Sequence, residues 1–115
     1  MIQRYEVGPR MSELSVHNGV AYLAGQVAED ASQDVVGQTR QVLAAIDALL
    51  AQAGTDKTRI LRAQIFLANI ADFAGMNKGA RTPRVVAGHT PPRATVQAAL
   101  AKPEWKVEIV VTAAV

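Results

Sequence analysis

The segment "KVEIVVTAAV", residues 106–115, constrains the fold more than any other part of the sequence. It is almost continuously apolar and rich in β-branched side chains, a pattern typical of a strand that is buried on both faces. "QIFLANI", residues 64–70, comes close to the same pattern. A sheet that contains two such strands has to be covered on both faces. The number of helices in the chain therefore determines whether one chain can cover both faces by itself.

The clearest helix lies in "SQDVVGQTRQVLAAIDALLAQAG", residues 32–54. Its apolar residues recur at three- and four-residue steps and form one stripe. Ser32 is the expected N-cap, Asp34 favours the positive helix start, and Gly54 provides the stop.

A second, poorer helix is expected just after the strand at residues 64–70. It would place Phe73, Met76 and Ala80 on one face. Gly75 and Gly79 each lower the helix propensity by about 1 kcal/mol relative to alanine, so this helix should be short.

Alternating or apolar runs predict the remaining strands, and the whole pattern indicates an α+β fold with five or six strands and two helices. Two helices can cover only one face of such a sheet. The other face would expose a large apolar patch on a monomer, and we therefore expect a homo-oligomer. The predicted strands are residues 2–7, 12–16, 20–28, 60–70, 93–100 and 106–115.

The chain of 115 residues has the size of one domain, residues 1–115. It has no cysteine, which excludes disulfides and thiolate chemistry, and no apolar run approaches the roughly 18 residues of a membrane helix. The start of the chain also lacks the layout of a secretion signal. A cytoplasmic location without a membrane partner fits these features.

Charge is distributed unevenly along the sequence. Residues 1–56 carry three arginines against seven carboxylates, a net charge of −4, whereas residues 57–115 carry nine Lys and Arg against three carboxylates, a net charge of +6. The basic residues are scattered singly, and no basic–aromatic interleaving appears that could stack bases. Nucleic-acid binding is therefore not expected.

The common catalytic and cofactor motifs are missing. The two histidines, His17 and His89, lie in separate turn-like segments without metal-ligand spacing, so we expect no metal and no cofactor. Both are most simply exposed turn residues, although His89 lies near enough in sequence to Arg93 to line a pocket with it.

Arg93 is the residue of most interest, because it opens the apolar segment at residues 93–100. A guanidinium beside an apolar sheet is costly unless acceptors meet its five donors. Two partners fit: Glu108 in an internal ion pair, or the carboxylate of a ligand held bidentately. The chemistry of the residues alone leaves both open.

The segment "PPRATVQAALAKPEWKVEI", residues 91–109, resembles the signature of the Rid family of reactive intermediate deaminases, also called YjgF-type proteins. Val107, Glu108 and Ile109 match the end of that signature. "YLAGQVAED" and "IFLANIADFAGMN" resemble two further family segments, so the resemblance covers nearly the whole chain. It implies a chorismate-mutase-like α+β domain with a mixed sheet, three copies of which form a barrel with the helices outside.

The resemblance also implies a function. Deaminase-type members hydrolyse reactive 2-imino or 2-enamino acids to 2-keto acids and ammonia, as 2-iminobutanoate or 2-iminopropanoate deaminases. Their ligand clefts lie between neighbouring subunits. By this resemblance Arg93 is the catalytic residue that binds the substrate carboxylate, Gly25 presents its backbone to the ligand, and Asn77 is a cleft asparagine at the second helix.

The sequence departs from the family pattern at the residues that the resemblance implies would orient the attacking water or relay a proton. The glutamate that active deaminases place two residues beyond the signature glutamate is Val110 here. The family's tyrosine is Met11, its serine before Gly-Gln is Ala24, and its small or thiol residue after the arginine is Thr95. We therefore count Met11, Thr95 and Val110 as substrate-binding positions in a more apolar cleft.

Three hypotheses follow: a homotrimer that binds small 2-imino or 2-keto acids and hydrolyses the imines, the same trimer binding metabolites without turnover, and a structural trimer in which Arg93 pairs with Glu108. If the protein hydrolyses imines, Thr95 or His89 would have to orient the water or relay the proton, because Val110 can do neither. Residues 78–84 form a basic segment where family members usually carry aromatic and acidic residues. This segment is either a variable helix end or an altered contact surface.

Overall fold

The computed structural model describes residues 1–80 and 88–115. Within them, six strands form one mixed sheet in the order β1-β2-β3-β6-β4-β5. The strands β4 and β5 run parallel, and every other neighbouring pair is antiparallel. The element bounds are β1 Gln3–Val7, β2 Ser12–His17, β3 Val20–Leu23, α1 Val35–Gln52, β4 Ile60–Leu67, α2 Phe73–Ala80, β5 Arg93–Gln97 and β6 Val107–Ala114. The predicted fold class is confirmed.

The apolar strand β6 lies near the middle of the sheet, between β3 and β4. Its side chains alternate: Val107, Ile109, Val111 and Ala113 are buried on the face that α1 covers, and the residues between them are half-buried. We call these two sides the covered face and the open face. The alternation is set by the pleat, which sends successive side chains to opposite faces.

The helix α1 begins later than the sequence suggests. Asp34, not Ser32, is the N-cap, and its carboxylate accepts a hydrogen bond of 2.9 Å from the Gly37 amide. Ser32 instead donates its backbone N–H and its hydroxyl to Asp30, which folds residues 30–32 into a turn before the helix. Gly54 has a φ of 77°, as the expected helix stop requires.

The two glycines of α2 permit close packing against α1. A β-carbon on Gly75 would lie 2.6 Å from the side chain of Val35, and one on Gly79 would lie 2.7 Å from the carbonyl oxygen of Val36. The glycines that lower the helix propensity are thus required by the contact between the helices. Met76 is buried as predicted, but Phe73 is exposed, so the expected apolar face of this helix is partly wrong.

The open face is less apolar than expected. In the centre of the sheet it carries Gln64 and Phe66 from β4 beside Glu108, Val110 and Thr112 from β6. Tyr22 and Val96 are exposed large apolar residues of strands β3 and β5. Polar side chains therefore interrupt the predicted apolar patch, because the apolar run of β6 contains Glu108 and Thr112 at open-face positions.

Helices that could cross a membrane are absent from the described residues. The basic segment at residues 78–84 begins in α2, but residues 81–84 lie outside the described part of the chain.

Candidate functional site

Arg93 begins β5, the edge strand of the sheet, and its register fixes the face on which it lies. Arg93 pairs with Ala63, which in turn pairs with the buried Val111, so Arg93 belongs to the covered face. Glu108 pairs with Phe66, which pairs with Val96, on the open face. The two sides of the sheet therefore separate Arg93 from Glu108, and the internal ion pair considered from the sequence is not formed.

Three residues of α2 contact the Arg93 side chain. One terminal nitrogen donates a hydrogen bond of 2.6 Å to Oδ1 of Asn77, and the other lies 3.9 Å from the sulfur of Met76. The guanidinium carbon lies 5.7 Å from the centroid of the Phe73 ring, within the range of a cation–π contact. The side chain is thus held against α2 rather than against the sheet.

This arrangement leaves much of the guanidinium available to a ligand. Of its five N–H donors, only one meets an oxygen acceptor within residues 1–80 and 88–115, and Arg93 is exposed. A carboxylate can therefore reach the guanidinium from solvent, and the charge-assisted bonds that it would form are the strongest class of hydrogen bond.

Two neighbouring residues of β5 connect this site to the rest of the fold. Thr95 follows Arg93 on the same side of the strand, pairs with Ile65 and is half-buried. Gln97 accepts a hydrogen bond of 2.8 Å from the amide of Ile70, the first residue of the turn that leads into α2. This bond fixes the start of α2 relative to β5 and hence the position of the residues that hold Arg93.

The other predicted site residues lie apart from Arg93. Val110 is on the open face, opposite Gln64. Gly25 lies beside Glu108: a β-carbon on Gly25 would be 2.1 Å from one of its carboxylate oxygens. Met11 is exposed in the β1–β2 turn, where its carbonyl accepts a hydrogen bond from Gly8. Within one protomer, therefore, Arg93, Asn77 and Thr95 come together, and Gly25, Val110 and Met11 do not join them.

Sequence reasoning missed the contact between Arg93 and Phe73. The residues are distant in sequence, and only the parallel pairing of β4 with β5 brings the edge strand beside α2. The spacing of Phe73 and Asn77, one helical turn apart, could have indicated that both share a helix face.

Sequence reasoning also missed an open depression of about 220 Å³ on the open face, lined by Phe66, Glu108 and residues 98–101. Gly25 lies beside this depression because its neighbour Gln26 pairs with Ile109 through two backbone hydrogen bonds. The side-chain amide of Gln26 also donates to Glu13 at 3.0 Å. Glu108 thus gives this depression a polar group of its own, on the opposite side of the sheet from Arg93.

A metal-binding arrangement was not found in the described part of the chain, where no group of three or more His, Asp or Glu side chains converges. His89 is exposed.

Comparison with known proteins places this geometry in context. Residues 1–115 match the family model described as endoribonuclease L-PSP. The chain is 52% identical over 115 residues to a RutC family protein of Haemophilus ducreyi, covering 100% of this chain and 97% of the relative. It is 48% identical over 114 residues to the RutC family protein YoaB of Escherichia coli, covering 99% of this chain and 98% of the relative.

Solved structures of YjgF and Rid family proteins share the fold of this chain. A member of the YjgF protein family from Neisseria meningitidis superposes with a TM-score of 0.95 at 44% identity, covering 99% of this chain and 94% of the other. A protein of unknown function of the conserved Rid protein family from Yersinia pestis superposes with a TM-score of 0.83 at 36% identity, covering 95% and 90%.

Proposed function

The chain belongs to the endoribonuclease L-PSP family, the YjgF and Rid proteins, and from this premise we propose that it binds small 2-imino and 2-keto carboxylic acids through Arg93 in clefts between the subunits of a homotrimer. Family membership itself supports a small-molecule-binding role. The class of ligand, the residues that hold it and the trimeric assembly are our proposal. We also propose that the protein is cytoplasmic and that residues 1–115 act as one functional domain.

The observation that carries the proposal is the state of Arg93. Its guanidinium is exposed, is held by Asn77 at 2.6 Å, and lies on the opposite side of the sheet from Glu108. A guanidinium that Glu108 does not neutralise is suited to bind the carboxylate of a ligand. Its planar set of donors can form two parallel hydrogen bonds with that carboxylate.

The division of the predicted site residues favours a cleft between protomers. Arg93, Asn77 and Thr95 lie on the covered face at the edge strand, whereas Gly25 and Val110 belong to the open-face side. One ligand can meet both groups only if a second copy of the chain brings its open-face group to the Arg93 group of the first. A closed ring of three copies would do this at three equivalent clefts and would cover Tyr22 and Val96.

In the proposed reaction, water adds to the C2 carbon of a 2-imino acid, and the carbinolamine loses ammonia to leave the 2-keto acid. Arg93 would hold the carboxylate, so that positioning rather than a protein nucleophile lowers the barrier. Val110 cannot move a proton. Thr95 is the better placed of the two substitutes, because it lies two residues from Arg93 on the same side of β5.

An assay that generates 2-aminoacrylate or a larger imino acid in situ tests the reaction. We expect the wild type to accelerate keto-acid release, and Arg93→Ala to raise KM by about 10- to 100-fold, the equivalent of one charge-assisted bond. The matched control is Arg40→Ala, which removes an exposed arginine of α1. A wild-type rate equal to that of buffer for every imino acid tried would remove the deaminase proposal.

A second candidate function is binding of the same carboxylates without turnover. Val110 favours it, because an apolar residue stands where active family members are expected to have a glutamate. Calorimetry with 2-ketobutyrate separates the two: affinity that Arg93→Ala abolishes, together with no imine hydrolysis, would support binding alone.

A further inference from the structure

Phe73 is an exposed aromatic side chain at the site where the carboxylate is proposed to bind. Its exposed fraction is 42%, although it lies on a helix whose next turn, at Met76 and Gly79, is buried. The ring contacts the guanidinium of Arg93 with 5.7 Å between the ring centroid and the guanidinium carbon. An apolar ring in this position is a surface that a ligand on Arg93 would meet.

The orientation of the guanidinium is set by Asn77. Arginine can only donate hydrogen bonds, so the Asn77 oxygen must face it, and the 2.6 Å bond fixes one end of the guanidinium. Phe73 and Asn77 lie four residues apart on α2, one helical turn, and therefore share one side of the helix. The other terminal nitrogen lies 3.9 Å from the sulfur of Met76, so ring, amide and thioether together hold the guanidinium against α2.

The helix that carries both residues is seated firmly. Gly75 and Gly79 lie against α1 so closely that a β-carbon on either would clash, and Gln97 binds the turn that precedes the helix. The backbone that carries Phe73 is therefore fixed relative to α1 and β5, and its ring lies beside Arg93.

We propose that Phe73 is a specificity-determining residue of this site, and that its ring forms an apolar wall for the substituent that a 2-keto or 2-imino acid carries beyond C2. A carboxylate bound to Arg93 brings its substituent close to the guanidinium, and the exposed ring whose centroid lies 5.7 Å from the guanidinium carbon is an apolar surface beside it. The preferred ligand class is then acids with larger apolar side chains over pyruvate-sized ones. The inference rests on the proposed function of Arg93.

A homologous series of acids tests it by calorimetric titration of the full chain: pyruvate, 2-ketobutyrate, 2-ketovalerate and 2-keto-4-methylvalerate. For the wild type we expect the affinity to rise about two- to fourfold for each added methylene, the range for partial to full burial of a CH₂ group. Phe73→Ala should flatten this rise while weakening pyruvate binding only about two- to fivefold, the loss of an exposed cation–π contact. Arg93→Ala should weaken the whole series about equally.

Leu61→Ala is the matched control, because Leu61 is an exposed apolar residue of β4 with a similar exposed fraction of 48%. It should keep the rise. A second measurement does not depend on the variants: in the wild type, nuclear Overhauser contacts should join the terminal methyl of 2-ketovalerate to ring protons of Phe73 and not to those of Phe66, the only other phenylalanine.

The outcomes are distinguishable. A rise with chain length that persists in Phe73→Ala, an affinity that does not change along the series, or the absence of methyl contacts to the Phe73 ring would overturn the role of Phe73 and leave Arg93 as the carboxylate-binding residue. Failure of the wild type to bind any of the four acids would overturn the proposed function and the role of Phe73 with it. Flattening in Phe73→Ala, together with the expected contacts and an unchanged control, supports the inference.

Discussion

The two faces of the sheet are built from the same strands, yet they differ in what fixes their residues. On the covered face, β4 and β6 contribute buried aliphatic residues that pack under α1. On the open face the same strands contribute Gln64, Phe66, Glu108, Val110 and Thr112, a mixture of polar and apolar groups that are half-buried at most. The covered face is explained by burial within one chain, whereas the composition of the open face suggests contacts beyond it.

Arg93 is an exception to this division. It lies on the covered side of the sheet but at its edge, where α2 holds the guanidinium and solvent reaches it. Each of the following changes tests whether the covered face stabilises the protomer while the open face serves other contacts, starting with the largest expected effect.

Leu67 and Leu61 provide the direct comparison, because both are leucines of β4 with exposed fractions of 0% and 48%. Leu67→Ala should lower the free energy of unfolding by about 2–5 kcal/mol, since it opens a cavity in the core. Leu61→Ala should change it by about 0.5 kcal/mol or less. Urea unfolding of both variants checks the difference, and equal losses would show that burial on the covered face does not stabilise the chain in the way described.

Gly79→Ala tests the packing between the helices on the covered face. Helix propensity alone would favour alanine by about 1 kcal/mol. We expect the opposite, a loss of about 1–3 kcal/mol, because the added β-carbon would lie 2.7 Å from the backbone oxygen of Val36. Thermal unfolding is the measurement, with Ala74→Gly on the exposed side of α2 as the control for propensity. A more stable Gly79→Ala would contradict the close helix contact.

Gly25→Ala tests the open-face side, where the added β-carbon meets a side chain instead of the backbone. The atom in its way is an oxygen of Glu108, the far end of a flexible side chain, so the expected cost is about 1 kcal/mol or less. The same substitution in a Glu108→Ala background should cost less still. A double-mutant cycle by urea unfolding measures this, and a cost that does not depend on residue 108 would contradict the contact.

The smallest effect concerns two carboxylates that lie outside both faces, in the turns before and after α1. Hydrogen bonds from Thr58 lower the pKa of Asp56, and those from Ser32 lower the pKa of Asp30, both from the ordinary value of 3.8. Because the folded pKa is lowered, the stabilisation is present above pH 3.8 and is lost as the pH falls through the lower folded value.

Asp56→Asn keeps the acceptor oxygen and removes the titration. The variant should therefore lose slightly less stability than the wild type when urea unfolding is compared at about pH 6 and about pH 3. Identical pH dependence of the two proteins would mean that Asp56 does not contribute to it. Neither face of the sheet should be affected.

The sequence predicted the covered face well, because one-sided burial leaves a periodic pattern. The stripe of α1 was readable, whereas the almost continuous apolar run of β6 predicted burial on both faces and hid the alternation between buried and half-buried residues. It misplaced the N-cap of α1, because Ser32 and Asp34 are both good capping residues and only the turn with Asp30 selects between them. It treated Gly75 and Gly79 as weaknesses, because propensity is local and the contact with α1 is not.

The site was less predictable than the fold. The sequence singled out Arg93 but could not choose between Glu108 and a ligand as its partner, because that choice depends on register, and a shift of one residue exchanges the faces of a strand. Phe73 was expected on one helix face with Met76, but Met76 is buried whereas Phe73 is exposed beside Arg93. The groups around Arg93 and Gly25 can form one cleft only with a second protomer. The sequence of one chain does not show how two copies pack.

A crystal structure of the protein grown with 2-ketobutyrate tests the central claim most directly. We predict that both carboxylate oxygens lie within hydrogen-bonding distance of the Arg93 guanidinium and that atoms from the open-face side of a neighbouring protomer contact the same ligand. A carboxylate bound elsewhere, or an Arg93 that meets the ligand with no second protomer beside it, would contradict the account.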